Sequence, residues 1–306
     1  MDWIKFYNVL IDGIQLGSVY ALVALGYSMV YGILKLLNFA HGDIYMIGAF
    51  IGYGVLTVLG GPLNPSLPLA PLLLLMFVVA MLGSGLLGVA VERFAYRPLR
   101  NAPRIAPLIS ALGVAFFLEN SALLLFGSQY RQYNGFDLIG TGGFYIGSVK
   151  ITWITVLVVS TAAALMVSLM LLVGRTKFGK AMRATSFDRE GAAMMGIDVD
   201  QVIVWTFFIG SALAGAAGVM AGLAYSSIFH FMGFTAGLKG FAAAVVGGIG
   251  SIPGAMLGGL IIGLAESYTA GYMNGTWKDA VTFSILVLVM LVRPTGLLGK
   301  PEIKKV

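Results

Sequence analysis

The sequence predicts an all-α polytopic membrane protein of about eight or nine transmembrane helices, some broken by glycine. Three observations predict it. Of 306 residues, 58% are hydrophobic and only 10% are charged, against about a quarter charged in an ordinary soluble domain. Apolar runs last about twenty residues, enough to cross ~30 Å of hydrocarbon as helix; the strands of a membrane barrel would alternate over about ten. The chain carries 42 glycines, and small residues let membrane helices approach closely. Mean hydropathy is +0.92. The absence of cysteine rules out disulfide and thiol chemistry.

The first span runs from Val9 to Leu34, with Gly13 and Gly17 spaced for close packing. Asp2 and Lys5 precede it without a small-residue cleavage site, so this span reads as retained. Asn38-Phe39-Ala40-His41-Gly42-Asp43 leads to a second span, Ile44–Leu59. Polar and ionisable groups inside a span mark a pathway by default. Gly42 can break the helix, and Asp43 can cap a new start. The alternative is a polar turn at the membrane surface, with Lys35 and His41 in water. The uncharged linker 60–70 and a third span, Pro71–Val91, come next. Ile105–Phe126 is the fourth span, Ile151–Val173 the fifth, and Val202–Leu223 the sixth. Ala214, Gly218 and Gly222 line one face of the sixth.

The last third is less regular. Phe231–Gly250 is short and holds Lys239. The run Gly247-Gly248-Ile249-Gly250-Ser251-Ile252-Pro253-Gly254 must break any helix. It reads either as exposed backbone facing a substrate or as a tight interhelical turn. Ala255–Tyr268 follows, with paired glycines at 254/258 and 259/263, and Ala280–Val292 closes the series before Arg293-Pro294. Asp12, Glu119 and Glu266 sit near predicted span ends, so they read as solvated caps rather than a proton relay.

The net charge is +6, but position argues against nucleic acid. Thirteen of nineteen basic residues fall in 93–104, 175–189 and 293–305. Such clustering in short loops is the positive-inside signal. It places those loops in the cytoplasm and the N-terminus outside, and the crossings then number nine, or eight if one Gly-rich segment is re-entrant.

The longest polar run, residues 174–201, lies between two spans. Ser186 to Gly196 reads as a short helix and a turn, with a second helix start at Asp198. A short charged helix held between spans is suited to docking on a partner at the membrane face. Gly174-Arg175-Thr176-Lys177-Phe178-Gly179-Lys180 has the spacing of a phosphate-binding loop, but Ala181 lacks the hydroxyl that would hold magnesium and no strand precedes it. With His41 and His230 the only histidines, a zinc site is not expected.

Glu190-Gly191-Ala192-Ala193-Met194-Met195-Gly196 resembles the E-A-A-x-x-x-G pattern of ABC importer permeases, with Gly191 in place of the first alanine. Together with 17–22, 37–43, Glu92–Pro98, 239–254 and Arg293–Gly299, it makes nearly the whole chain similar to the LivH-type permease of branched-chain amino acid importers. The resemblance implies one transmembrane permease domain over 1–306, with a cytoplasmic coupling loop at 174–201. ATPase coupling then falls to Arg183, Ser186, Asp188, Arg189, Glu190, Ala192, Ala193, Gly196 and Ile197. Asn38, His41, Gly42, Asp43, Gly247, Gly248, Gly250 and Ser251 are the candidates for the translocation pathway or gate. The implied partners are a second homologous permease, two cytoplasmic ATPase subunits, an extracytoplasmic binding protein for leucine, isoleucine or valine, and the lipid bilayer of a prokaryotic inner membrane. ATP and magnesium would sit on the ATPases, with no cofactor on this chain. Urea, short amides or other amino acids are alternative solutes. A stand-alone carrier or channel, with Asp43 or Glu119 coupling an ion, is the rival mechanism.

Overall fold

The computed structural model describes residues 3–59, 61, 66–100, 102–103 and 105–299. Asp2, Arg104, part of the 60–70 linker and the basic tail beyond 299 lie outside the described residues. The helices are α1 (Trp3–Leu34), α2 (His41–Val58), α3 (Leu69–Val91), α4 (Ile105–Phe126), α5 (Gly135–Ile139), α6 (Trp153–Arg175), α7 (Lys177–Phe187), α8 (Arg189–Met194), α9 (Val199–Tyr225), α10 (Met232–Gly247), α11 (Ile252–Tyr272) and α12 (Lys278–Val292). Among the described residues six stretches, Trp3–Leu34, Leu69–Leu99, Ile105–Phe126, Trp153–Arg175, Val199–Tyr225 and Gly275–Val292, are long and apolar enough to cross a membrane, and α2, α10 and α11 pack among them. Short strands decorate one end. β1 (Arg131–Gln132) pairs antiparallel with β4 (Ser227–Ile228), and β2 (Gly143–Ile146) forms a hairpin with β3 (Val149–Thr152).

Both faces can be assigned from contacts at the helix ends. Ile33, near the end of α1, accepts a bond from Arg189. Val173, near the end of α6, accepts one from Arg183. Arg97 and Arg100, just after α3, hold Asp200 at the start of α9. Ser110, near the start of α4, bonds the Ala95 carbonyl. The segment after α12 bonds the α10–α11 turn, Leu297 N–H to Val246 O and Leu298 N–H to Gly247 O. The described parts of the three basic clusters therefore share one face, called the basic face below.

Local chemistry sets the helix starts there. Thr176, Asp188, Asp198 and Ser251 each accept a backbone N–H three residues on and so cap α7, α8, α9 and α11. The loop 174–201 differs from the single short helix expected. It contains two helices, because Asp188 is extended (φ −154°, ψ 112°) and spends its carboxylate on the Gly191 N–H.

Packing relies on small residues. Helices gain no hydrophobic drive from associating in lipid, so close contact must hold them together. One face of α11 presents Gly259 and Gly263 to Ala21 and Gly17 of α1, while Gly254 and Gly258 meet Gly247 and Ala243 of α10. On α9, Gly215 lies against Ala80 and Ser84 of α3, and Gly218 against Tyr45 and Ala49 of α2. The core is formed by α1, α9 and the buried faces of α2, α10 and α11. By contrast α3, α4, α6 and α12 turn outward such side chains as Leu86, Phe117, Leu124, Leu171 and Leu291, as contact with lipid requires.

Candidate functional site

The first set of expected pathway residues, Asn38 to Asp43, does not lie at the surface. After α1 ends, the chain turns at Lys35, where φ is +58°, and runs back into the molecule. The His41 ring lies against Gly26 and edge-on to Tyr27, with centroids 4.8 Å apart. Gly26 is eight residues before the end of α1, about 12 Å along its axis. Asn38, His41 and Asp43 are each no more than 2% exposed. A solvated turn is thus ruled out for His41, and Lys35 alone stays exposed. The irregular backbone is tolerated because protein covers it. Tyr96 O–H donates towards the Leu37 carbonyl at 3.1 Å and Asn38 Oδ1 at 3.2 Å. Asp43 does not cap α2: the helix begins two residues earlier, at His41, and its N-cap is Ala40. Asn38 Nδ2, both His41 ring nitrogens and Asp43 Oδ1 have no hydrogen-bond partner among the described residues. Such groups cost free energy at this depth. Asp43 and Glu119 line one small cavity of about 50 Å³ between α1, α2, α4 and α10.

Gly247, Gly248, Gly250 and Ser251 form the tight α10–α11 turn on the basic face. Gly248 has φ +108° and packs against Gly296 and Gly299, leaving no room for a side chain. Gly250 lies near Gly32 and Tyr31 of α1. One groove brings Gly250 and Ile252 together with Arg183 and Ser186 of α7. The turn and the 174–201 loop are therefore neighbours, while the Asn38–Asp43 set sits deeper and apart.

Within the 174–201 loop the residues expected to couple to an ATPase divide by direction. Glu190, Ala193 and Gly196 face outward with Ser186 and Arg183. Phe187, Met194 and Met195 are at least three-quarters exposed and form an apolar knuckle. Ala192 is buried, and the Ile197 N–H bonds its carbonyl at 3.1 Å, closing the turn at Gly196, whose φ is +81°. Arg189 turns inward, donating to Ile33 O at 2.8 Å. That bond satisfies a carbonyl the end of α1 would otherwise leave open. Burial, then the Arg100 guanidinium nearby, lowers the Arg189 pKa from the usual arginine value. Arg183 bonds Val173 O at the end of α6. The knuckle is thereby tied to two long helices.

Two polar networks escaped the sequence reading. Arg100 bridges the fully buried Glu92 and Asp200, with Arg97 also on Asp200. Near the opposite face, Glu266 is 1% exposed and no solvated cap. Its carboxylate accepts from Tyr20 O–H (3.0 Å), Thr282 O–H (2.8 Å) and Lys239 Nζ (3.0 Å), and Lys239 also reaches Asp279 at 2.8 Å. The signal was available. Lys239 and Glu266 are ionisable groups of opposite sign inside apolar segments, and such groups normally pair.

The fold and these sites define a class: a polytopic helical permease with an exposed apolar knuckle on one face. Comparison with known proteins places the chain within that class. Residues 9–290 match the family model described as branched-chain amino acid transport system / permease component, and the chain belongs to that family. It is 43% identical to the high-affinity branched-chain amino acid transport system permease protein BraD of Pseudomonas aeruginosa, over 98% of both chains. Identity to LivH of Escherichia coli is 41%, over 100% of this chain and 99% of that one. A more distant relative, the autoinducer 2 import system permease protein LsrC of Yersinia pestis, is 26% identical over 80% of this chain and 67% of its own length.

Proposed function

We propose that this chain is the membrane permease subunit of an ATP-driven importer for leucine, isoleucine and valine in a prokaryotic inner membrane, with its basic face in the cytoplasm. One observation carries the reading: an exposed apolar knuckle, Phe187 with Met194 and Met195, anchored to α1 through Arg189 and to α6 through Arg183. An exposed apolar cluster beside long helices is a docking surface. Separate ATPase subunits binding there would push on α1 and α6 together. The Gly250 turn, sharing a groove with α7, would feel the same movement. A second homologous permease completes the pathway, and an extracytoplasmic binding protein delivers the solute. The names of the 41–43% identical relatives support branched-chain amino acids. LsrC, named for a different solute, is a reminder that the scaffold alone does not choose the cargo. A gradient-driven carrier is the second reading, favoured by Asp43 and Glu119 facing one cavity.

Glu190→Lys tests the first reading. Reversing an exposed charge on the knuckle leaves the fold intact, so membrane insertion stays normal. ATP-dependent leucine uptake in vesicles holding the ATPases and binding protein falls about tenfold or more, as for a disrupted interfacial charge. Unchanged uptake with unchanged ATPase association removes the knuckle from the mechanism. Uptake by this chain alone, driven by a proton or sodium gradient, favours the second reading.

A further inference from the structure

Two adjoining cavities lie near the face opposite the basic one. The larger, about 470 Å³, is lined by Asp12, Gln15, Lys150, Thr155 and Lys278 among others. The second, about 300 Å³, reaches down to Tyr20, Lys239 and Glu266. They share Leu16, Tyr225 and Lys278. Their volumes fall within the ~300–1,000 Å³ typical of small-molecule sites.

The charges are arranged for one kind of ligand. Lys239 lies between two carboxylates, Glu266 at 3.0 Å and Asp279 at 2.8 Å. Lys278 lines both cavities and has no ion-pair partner among the described residues. Lys239, Lys278 and Glu266 line the inner cavity, and Asp12, Lys150 and Lys278 the outer one, so each presents both signs of charge. A bare cation or anion meets a like charge in either chamber and loses its hydration there. A zwitterion can match both signs at once. Lys278 can take its carboxylate, while Glu266 lines the same cavity as a partner for its ammonium group. Leu16, Val19, Met232 and Ala236 line the same cavity with apolar surface.

We infer that the inner chamber, floored by Lys239 and Glu266, binds a small apolar α-amino acid in its zwitterionic form. The inference rests on the amino-acid transport reading above and adds to it a site and the groups that recognise both charged ends. Lys278 is the specificity group for the carboxylate, and Glu266 for the ammonium.

The chain has no cysteine, so one introduced thiol reports cleanly. Ser227→Cys places it in the chamber wall. The full-length chain is purified and labelled with a polar maleimide. L-leucine at millimolar concentration slows labelling about tenfold, as a mostly occupied site requires. Neither 3-methylbutylamine, which lacks the carboxylate, nor 4-methylpentanoate, which lacks the ammonium, does so. Adding Glu266→Gln raises the leucine concentration needed by about tenfold, the scale of one charged contact. Because that floor variant can fail to fold, Lys278→Gln on the chamber rim serves as the second: the advantage of leucine over 3-methylbutylamine disappears. No slowing by leucine, while the thiol still reacts, overturns the inference. Equal slowing by all three compounds overturns it too, leaving only an apolar crevice. Leucine protection without ATP-dependent uptake in the assembled complex upholds the chamber and sinks the importer; uptake without protection does the reverse.

Discussion

Arg100 is the residue whose loss isolates another charge most directly. Glu92 has no exposed surface, and its ion-pair partner among the described residues is the Arg100 guanidinium. Breaking a buried pair by removing one partner costs about 3 kcal/mol or more, because the remaining charge is left uncompensated. Arg100→Met therefore lowers the thermal midpoint of the detergent-solubilised chain, measured by its monodispersity after heating. Adding Glu92→Gln restores more than half of the loss. If the double variant is no better than the single one, the pair is not what Arg100 contributes. The sequence showed the cluster 93–104 but only as a topology signal. Its second role was hidden because the partners, Glu92 and Asp200, lie eight and one hundred residues away, and spacing cannot reveal a pair that folding makes.

At the scale of elements, glycine spacing was legible and its use was not. The pairs at 254/258 and 259/263 stand out in the sequence, yet only the fold shows that they serve two neighbours, α10 and α1. The same substitution at two sites separates packing from propensity. A Cβ on Gly263 would strike the backbone of Gly17, closer than side chains ever approach. Gly263→Ala thus pushes α1 and α11 apart and costs about 1–3 kcal/mol. On α2, Gly54 has nothing within 4 Å, so Gly54→Ala gains helix propensity and is neutral or stabilising by up to about 1 kcal/mol. Heating curves of the two purified variants that shift equally would refute this account of the α1–α11 seam. The break between α7 and α8 was missed for a local reason. Asp188 is a tolerable helix residue by composition, but its carboxylate competes for the backbone N–H of Gly191.

For the whole molecule, the passes alternate so that Ser186 and Ala270 lie near opposite faces, both exposed. In sealed vesicles, Ser186→Cys reacts with an impermeant maleimide only from the cytoplasmic side, and Ala270→Cys only from the other. Labelling of both from one side would break the topology. A count of eight or nine crossings and the clustering of basic residues in short loops were readable in advance, because hydrocarbon thickness dictates span length and charge dictates which loops stay together.

What the chain determined unaided was its class, the order of its spans and the position of its longest polar loop. These follow from one-dimensional quantities: run length, charge position and short motifs. Only the tertiary structure decided that Asn38 to Asp43 is buried, that Glu266 is held by Lys239, and that Arg189 grips the end of α1. Each of these depends on which distant backbone lies alongside. That is fixed by close packing in three dimensions, about which residue type and spacing say little.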